Sequence, residues 1–123
     1  MSTVYTTAGE NRICNLIDGT STLPLNATNA RIGWGTGAGT AAKADTTLFT
    51  EASEPRVEPV VSRPTANTVR WVATMTADAA KTITNAGVFD APTAGALVVK
   101  GSFTGVALAL GDQIQFTISL QQT

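Results

Sequence analysis

Residues 113–121 run Gln-Ile-Gln-Phe-Thr-Ile-Ser-Leu-Gln, a strict alternation of polar and apolar side chains. On a helix, Ile114, Phe116, Ile118 and Leu120 would scatter around the axis. On a strand they fall on one face and the Gln, Thr and Ser residues on the other. This is the pattern of an antiparallel strand with one face on a core and one in water, and Gly111-Asp112 supplies the turn before it. The same period of two recurs in Ala30, Ile32 and Trp34, and in Val69, Trp71, Ala73 and Met75. Ile83 to Phe89 and Leu97 to Phe103 make two further strands, joined by the turn-rich segment Asp90-Ala91-Pro92-Thr93-Ala94-Gly95. In the former, Ile83 and Phe89 are expected in the core, with Asn85 and Gly87 shaping the backbone. An extended stretch from Arg56 to Arg63, broken by Pro59, suits an edge strand or a bulge.

Only one helix is expected. It starts at Thr7 or Gly9, places Glu10 in its first turn, sets Ile13, Leu16 and Ile17 on one face, and stops at Asp18-Gly19. With 123 residues, 43% of them hydrophobic, the chain supports one core. The expected organisation is therefore an extended N-terminal arm over 1–8, a short helix over 9–18, a polar loop from Thr20 to Asn29, and a β-sandwich over 30–122. In fold class this is all-β, an antiparallel sandwich or jelly-roll-like barrel with one short N-terminal helix.

The chemistry open to such a chain is narrow. It has no histidine, which excludes Ser-His-Asp and Cys-His nucleophile systems and histidine-ligated metals. The single cysteine, Cys14, sits in the apolar pattern of the helix and is expected to be a small buried residue. Charged residues make up only 14% of the chain, with a net charge of −1. Either some surface is normally covered by other protein, or the domain is a Thr-rich one that tolerates neutrality. The basic residues form no stripe, so nucleic acid is not an expected partner. Met1 to Thr7 carry no basic segment and no apolar stretch, so no secretory leader is expected, and no apolar run is long enough to cross a bilayer.

The run Gly33-Trp34-Gly35-Thr36-Gly37-Ala38-Gly39-Thr40 lacks the spacing of a dinucleotide site, and Lys43 lacks the context of a phosphate loop. It is expected as a bent, exposed loop whose missing side chains allow a bulge, a turn or close approach by another backbone. Glu51, Glu54 and Glu58 lie close in sequence to Arg56, Arg63 and Arg70, which favours ion pairs over a carboxylate pair across a cleft. Asp18, Asp45, Asp78, Asp90 and Asp112 mostly adjoin Gly, Ala or Pro and suit turns. Asn26-Ala27-Thr28 matches a glycosylation sequon that is incidental without a leader. Trp34 and Trp71 are expected as core anchors, with Trp34, beside the glycines, the better candidate for an interface. No catalytic, metal or cofactor residues are expected.

Three stretches of the first half, Gly33-Trp34-Gly35-Thr36-Gly37, Asp45-Thr46-Thr47-Leu48-Phe49-Thr50-Glu51 and Arg56-Val57, carry a resemblance. In the second half it is carried by Ile83 to Asp90, Gly95, Gly101-Ser102-Phe103 and Gly111 to Phe116. Over roughly residues 30 to 120 the chain resembles small bacteriophage virion structural proteins, most of all head decoration (cement) proteins, with tail-fibre or baseplate modules as the related possibility. The resemblance implies a non-enzymatic protein on the capsid surface, assembled in the host cytoplasm, that bridges neighbouring major capsid subunits. The implied partners are the phage major capsid protein and further copies of the chain in a homo-dimer or homo-trimer. Candidate interface residues are Val4 and Tyr5 of the arm, which could add a strand to a neighbour, and Trp34, Gly35, Gly37 and Gly39 of the glycine run. A tail component, and a carbohydrate-binding sandwich using Trp34 or Trp71 as a stacking platform, are the alternatives.

Overall fold

The computed structural model of the chain describes residues 2–21 and 24–122, so Met1 of the expected arm and two residues of the Thr20–Asn29 loop lie outside it. Among the described residues, seven strands and one helix occur in the order β1 (Ser2–Tyr5), α1 (Thr7–Ile17), β2 (Arg31–Gly35), β3 (Val60–Thr65), β4 (Thr68–Thr76), β5 (Lys81–Phe89), β6 (Leu97–Leu108) and β7 (Gln113–Gln121). They form two antiparallel sheets, β1-β6-β5-β2 and β3-β4-β7. The sandwich expectation holds; the barrel does not close.

Between the sheets lie Ile32, Trp34, Trp71, Met75, Ile83, Val88 and Val98, each at most 1% exposed. In β4 the residues Trp71, Ala73 and Met75 are buried, as the alternation requires, and Trp71 Nε1 donates to the Leu25 carbonyl at 3.0 Å. Strand β7 pairs with β4 over nine consecutive residues without a register shift.

The four-stranded sheet does not follow the half-buried pattern. From Asn85 to Phe89 every residue of β5 is buried. One face packs on the other sheet, whereas the opposite face is covered by the segment from Thr36 to Glu51, which adds a second small core of Leu48, Phe89 and Leu97. Ile83 and Phe89 are thus both buried, but in different cores. A register shift between Ile83 and Asn85 makes this possible. The bulge turns Thr84 and Asn85, adjacent in sequence, toward the same covering segment.

Three expectations for the N-terminus need correction. Ser2 to Tyr5 do not extend outward: they pair with Ser102 to Val99 of the chain's own β6. Of the two expected starts the helix takes Thr7, two residues ahead of the 9–18 boundary, because Thr6 is its N-cap and accepts from the Gly9 amide at 2.9 Å, a cap contributing about 1 kcal/mol. The Thr6 hydroxyl also donates to carbonyls of β6, at Leu97 and at Val98. Finally, the helix docks by its first turn. A Cβ on Gly9 would lie 2.8 Å from Val98 Cα, so only glycine lets the helix backbone meet the strand. Cys14, about 140° around the helix from Gly9, is consequently exposed rather than buried. Ile17 at the far end is 80% exposed.

Candidate functional site

The glycine run is neither bent away nor exposed throughout. Gly33 and Gly35 are buried inside β2, paired with Gly87 and Asn85. Beyond them the chain continues beside residues 49–52: Thr36 N donates to the Thr50 carbonyl at 3.0 Å, Gly37 N to Phe49 at 2.9 Å, and Ala52 N to the Trp34 carbonyl at 3.0 Å. The side-chain-free track exists for Phe49. A Cβ on Gly35 would sit 2.5 Å from the Phe49 carbonyl oxygen, and one on Gly39 would sit 2.7 Å from the Phe49 ring. Close approach by another backbone, one of the three expected uses of these glycines, is what the fold exploits.

Side chains from the sheet below fasten this covering segment: the Thr84 hydroxyl donates to the Gly37 carbonyl, the Ser102 hydroxyl accepts from the Ala41 amide at 3.0 Å, and Asn85 and Lys100 each hold it at more than one point. Asn85 acts as a peptide surrogate: its Oδ1 accepts from the Phe49 amide at 2.9 Å and its Nδ2 donates to the Phe49 carbonyl at 3.1 Å. Lys100 is fully buried. Its ammonium donates to Asp45 Oδ2 at 2.9 Å and to the Thr47 carbonyl at 2.8 Å, and lies 3.3 Å from the centre of the Phe49 ring. The Lys100 hydrogen bond is the foremost cause that lowers the Asp45 carboxyl below its usual range, with the Ala42 amide adding to it. A buried lysine in a cleft would be a candidate nucleophile. Here every contact of the ammonium is to a group that it holds in place, so the role is structural.

The acids of 51–58 divide. Arg56 makes a two-pronged pair with Glu51 at 2.7 and 2.9 Å, stacks 3.4 Å over the Phe89 ring and donates to the carbonyls of Ala91 and Ala94. Glu54 finds its cation in Lys81, distant in sequence, at 2.5 Å, and Lys81 also pairs with Asp78 at 2.9 Å. Burial alone would push the Glu54 carboxyl up. Hydrogen bonds from Lys81, the Asp78 amide and its own amide, with the Trp34 indole directed toward it, outweigh burial and bring it down to about 2. The indole falls short of hydrogen-bond geometry. Because the folded value lies below the ordinary 4.5, this pair stabilises the fold above about pH 4.5 and the contribution is lost as pH falls toward 2. Acid titration of thermal stability should therefore drop less steeply between those limits in Glu54→Gln than in the parent. Equal slopes would assign the acid sensitivity to other carboxylates.

The predicted interface residues separate accordingly. Trp34 is 1% exposed and belongs to the core, so it presents no surface. Trp71 is equally buried, and neither indole has a free face on which a sugar could stack. Gly35 is buried and Gly37 half-buried, with Gly39 alone of the three exposed. Val4 and Tyr5 are half-buried in β1. Among the described residues no group of three His, Cys, Asp or Glu is placed to hold a metal ion, and no helix is long and apolar enough to cross a membrane.

The surface feature that sequence reasoning missed is β7. Ile114, Phe116, Ile118 and Leu120 are all only half-buried although they face inward. They border an open side of the sandwich, where a cleft of about 290 Å³ runs between β7 and the β1–β6 edge, lined by Thr3, Val99, Gly101, Phe103, Phe116 and Ile118. The alternation itself was plain. Its position at a sheet edge was not, because strand order follows from pairings across the whole chain. No known protein-family description matches the chain and no curated protein shows significant similarity to it.

Proposed function

We propose that the chain is a non-enzymatic structural component of a phage particle, a decoration protein that reinforces the capsid shell by bridging neighbouring major capsid subunits. The observation that carries this reading is that most of the stretches resembling small phage structural proteins meet in one framework. Gly33–Gly37 and Asp45–Glu51 form the two sides of the Phe49 contact, Ile83–Asp90 contributes Asn85, and Arg56 ties Glu51 to Phe89 and the turn before Gly95. Gly101 to Phe103 run beside them in β6. A resemblance concentrated on residues that build one layer is a resemblance of scaffold. The low charge and the half-covered apolar edge add support, since both suit a protein surrounded by other protein. Bridging several subunits lets modest contacts sum to firm attachment.

Virions lacking the protein are expected to lose infectivity faster on heating or at low ionic strength, and the wild-type particle is expected to carry it in hundreds of copies. Full heads without tails in its absence, together with tens of copies or fewer, would replace the capsid reading with a tail component.

A further inference from the structure

Three of the four sheet edges carry devices that discourage pairing with another chain. Strand β3 contains Arg63 and Pro64 and a register irregularity between Ser62 and Thr65. Strand β1 is only four residues long. Strand β2 is covered by the bridges Ile32–Val57 and Gly35–Glu51. Short length, charge, proline, bulges and covering segments are the usual protections of an edge. Strand β7 has none of them. It is nine residues long, regularly paired on its inner side, and free of charge and proline. No strand pairs with its outer side among the described residues.

We infer that β7 pairs with β7 of a second copy, antiparallel about a two-fold axis through Thr117. The sequence is self-complementary about that point. Gln113 comes opposite the partner's Gln121, Ile114 opposite the partner's Leu120, Gln115 opposite the partner's Ser119, and Phe116 opposite the partner's Ile118. Each apolar side chain meets an apolar one on the inner face, and each polar side chain a polar one on the outer face. All nine residues are used. Centring on Phe116 instead would set Asp112 against the partner's Leu120, and centring on Ile118 would set Ile114 against the partner's Gln122. The two three-stranded sheets become one of six strands, β3-β4-β7-β7-β4-β3, and a two-fold interface of this kind is closed and does not propagate. Phe116 and Ile118, half-buried at the mouth of the cleft, are then covered by the same residues of the partner. This pairing holds whether or not the protein sits in a virion, and its test uses the purified chain.

Sedimentation velocity should give twice the chain mass of 12.6 kDa. Thr117→Lys, which places two ammonium groups together on the axis at an exposed position, should weaken the dimer about tenfold or more with circular dichroism unchanged. In a Cys14→Ser background, Thr117→Cys should cross-link to itself on oxidation. Gln113→Cys, whose two copies are separated by the length of the strand, should not. A monomeric parent chain at high micromolar concentration, a dimer indifferent to Thr117→Lys, or equal cross-linking at 113 and 117 overturns the inference. A monomer would leave the edge to a strand of another protein.

Discussion

Lys100→Met should lower the stability of the domain by about 2–4 kcal/mol, because it removes a fully buried ammonium from a carbonyl and a part-exposed carboxylate that depend on it. The ammonium is fully buried between Asp45, the Thr47 carbonyl and the Phe49 ring. Methionine reproduces most of its volume and none of its bonds, so the loss reflects a Thr47 carbonyl without its donor and an Asp45 carboxylate that keeps only the Ala42 amide. The cation–π contact at 3.3 Å goes with them. Urea unfolding followed by circular dichroism measures the loss as a shift of midpoint at constant slope. Lys100→Met combined with Asp45→Asn should cost clearly less than the sum of the two single changes, because the second removes the charge the first has orphaned. Additive losses, or a single loss below about 1 kcal/mol, would mean that other contacts anchor the segment from Thr36 to Glu51.

Asn85→Leu should cost about 1–3 kcal/mol, for a different reason. Asn85 has no exposed surface and serves both the amide and the carbonyl of Phe49. The Phe49 amide is left without its acceptor, at about 1–3 kcal/mol, whereas the Phe49 carbonyl keeps the Gly37 amide and loses one of two donors. Asn85→Asp separates the two bonds. It keeps an acceptor for the Phe49 amide but turns an oxygen toward the Phe49 carbonyl, which accepts and cannot donate. At neutral pH it should be destabilised nearly as much as Asn85→Leu, and mildly acidic conditions that protonate the new carboxyl should return part of the loss. If Asn85→Asp matches the parent at neutral pH, Asn85 is not acting as a peptide surrogate.

These two residues show where sequence reasoning succeeds and where it stops. The period of two in Val69 to Met75 and in Gln113 to Gln121 places both strands, because a half-buried strand writes its geometry directly into the chain. Asn85 was expected to shape the backbone, and it does, but through a bond to a residue 36 positions away. Nothing local distinguishes Lys100 from a surface lysine, since its burial depends on a segment that folds over it from residues 36–51. The same cover hides Gly35 and seals the outer face of β5, so the alternation expected of an antiparallel sheet disappears there. Trp34 is the core anchor its residue type suggests, although the flanking glycines make it the better interface candidate of the two tryptophans. Those glycines admit Phe49 instead, and the indole points into the core. Glu54 was matched to nearby arginines, whereas its partner Lys81 arrives through the packing of the sheets.

The contacts of the N-terminus also order events in time. Thr6 bonds to a carbonyl 92 residues further along the chain, and the strand before it pairs with β6. At about 5–20 residues per second of synthesis, β1 and the cap of α1 wait several seconds for their partner to exist. Residues made 92 positions ahead of their partner are therefore among the last to dock. Until they do, β6 offers its outer edge to any neighbouring nascent chain, whose β1 has the same sequence and the same fit. Dilution and slow synthesis favour closure within one chain, whereas dense polysomes favour exchange of β1 between copies.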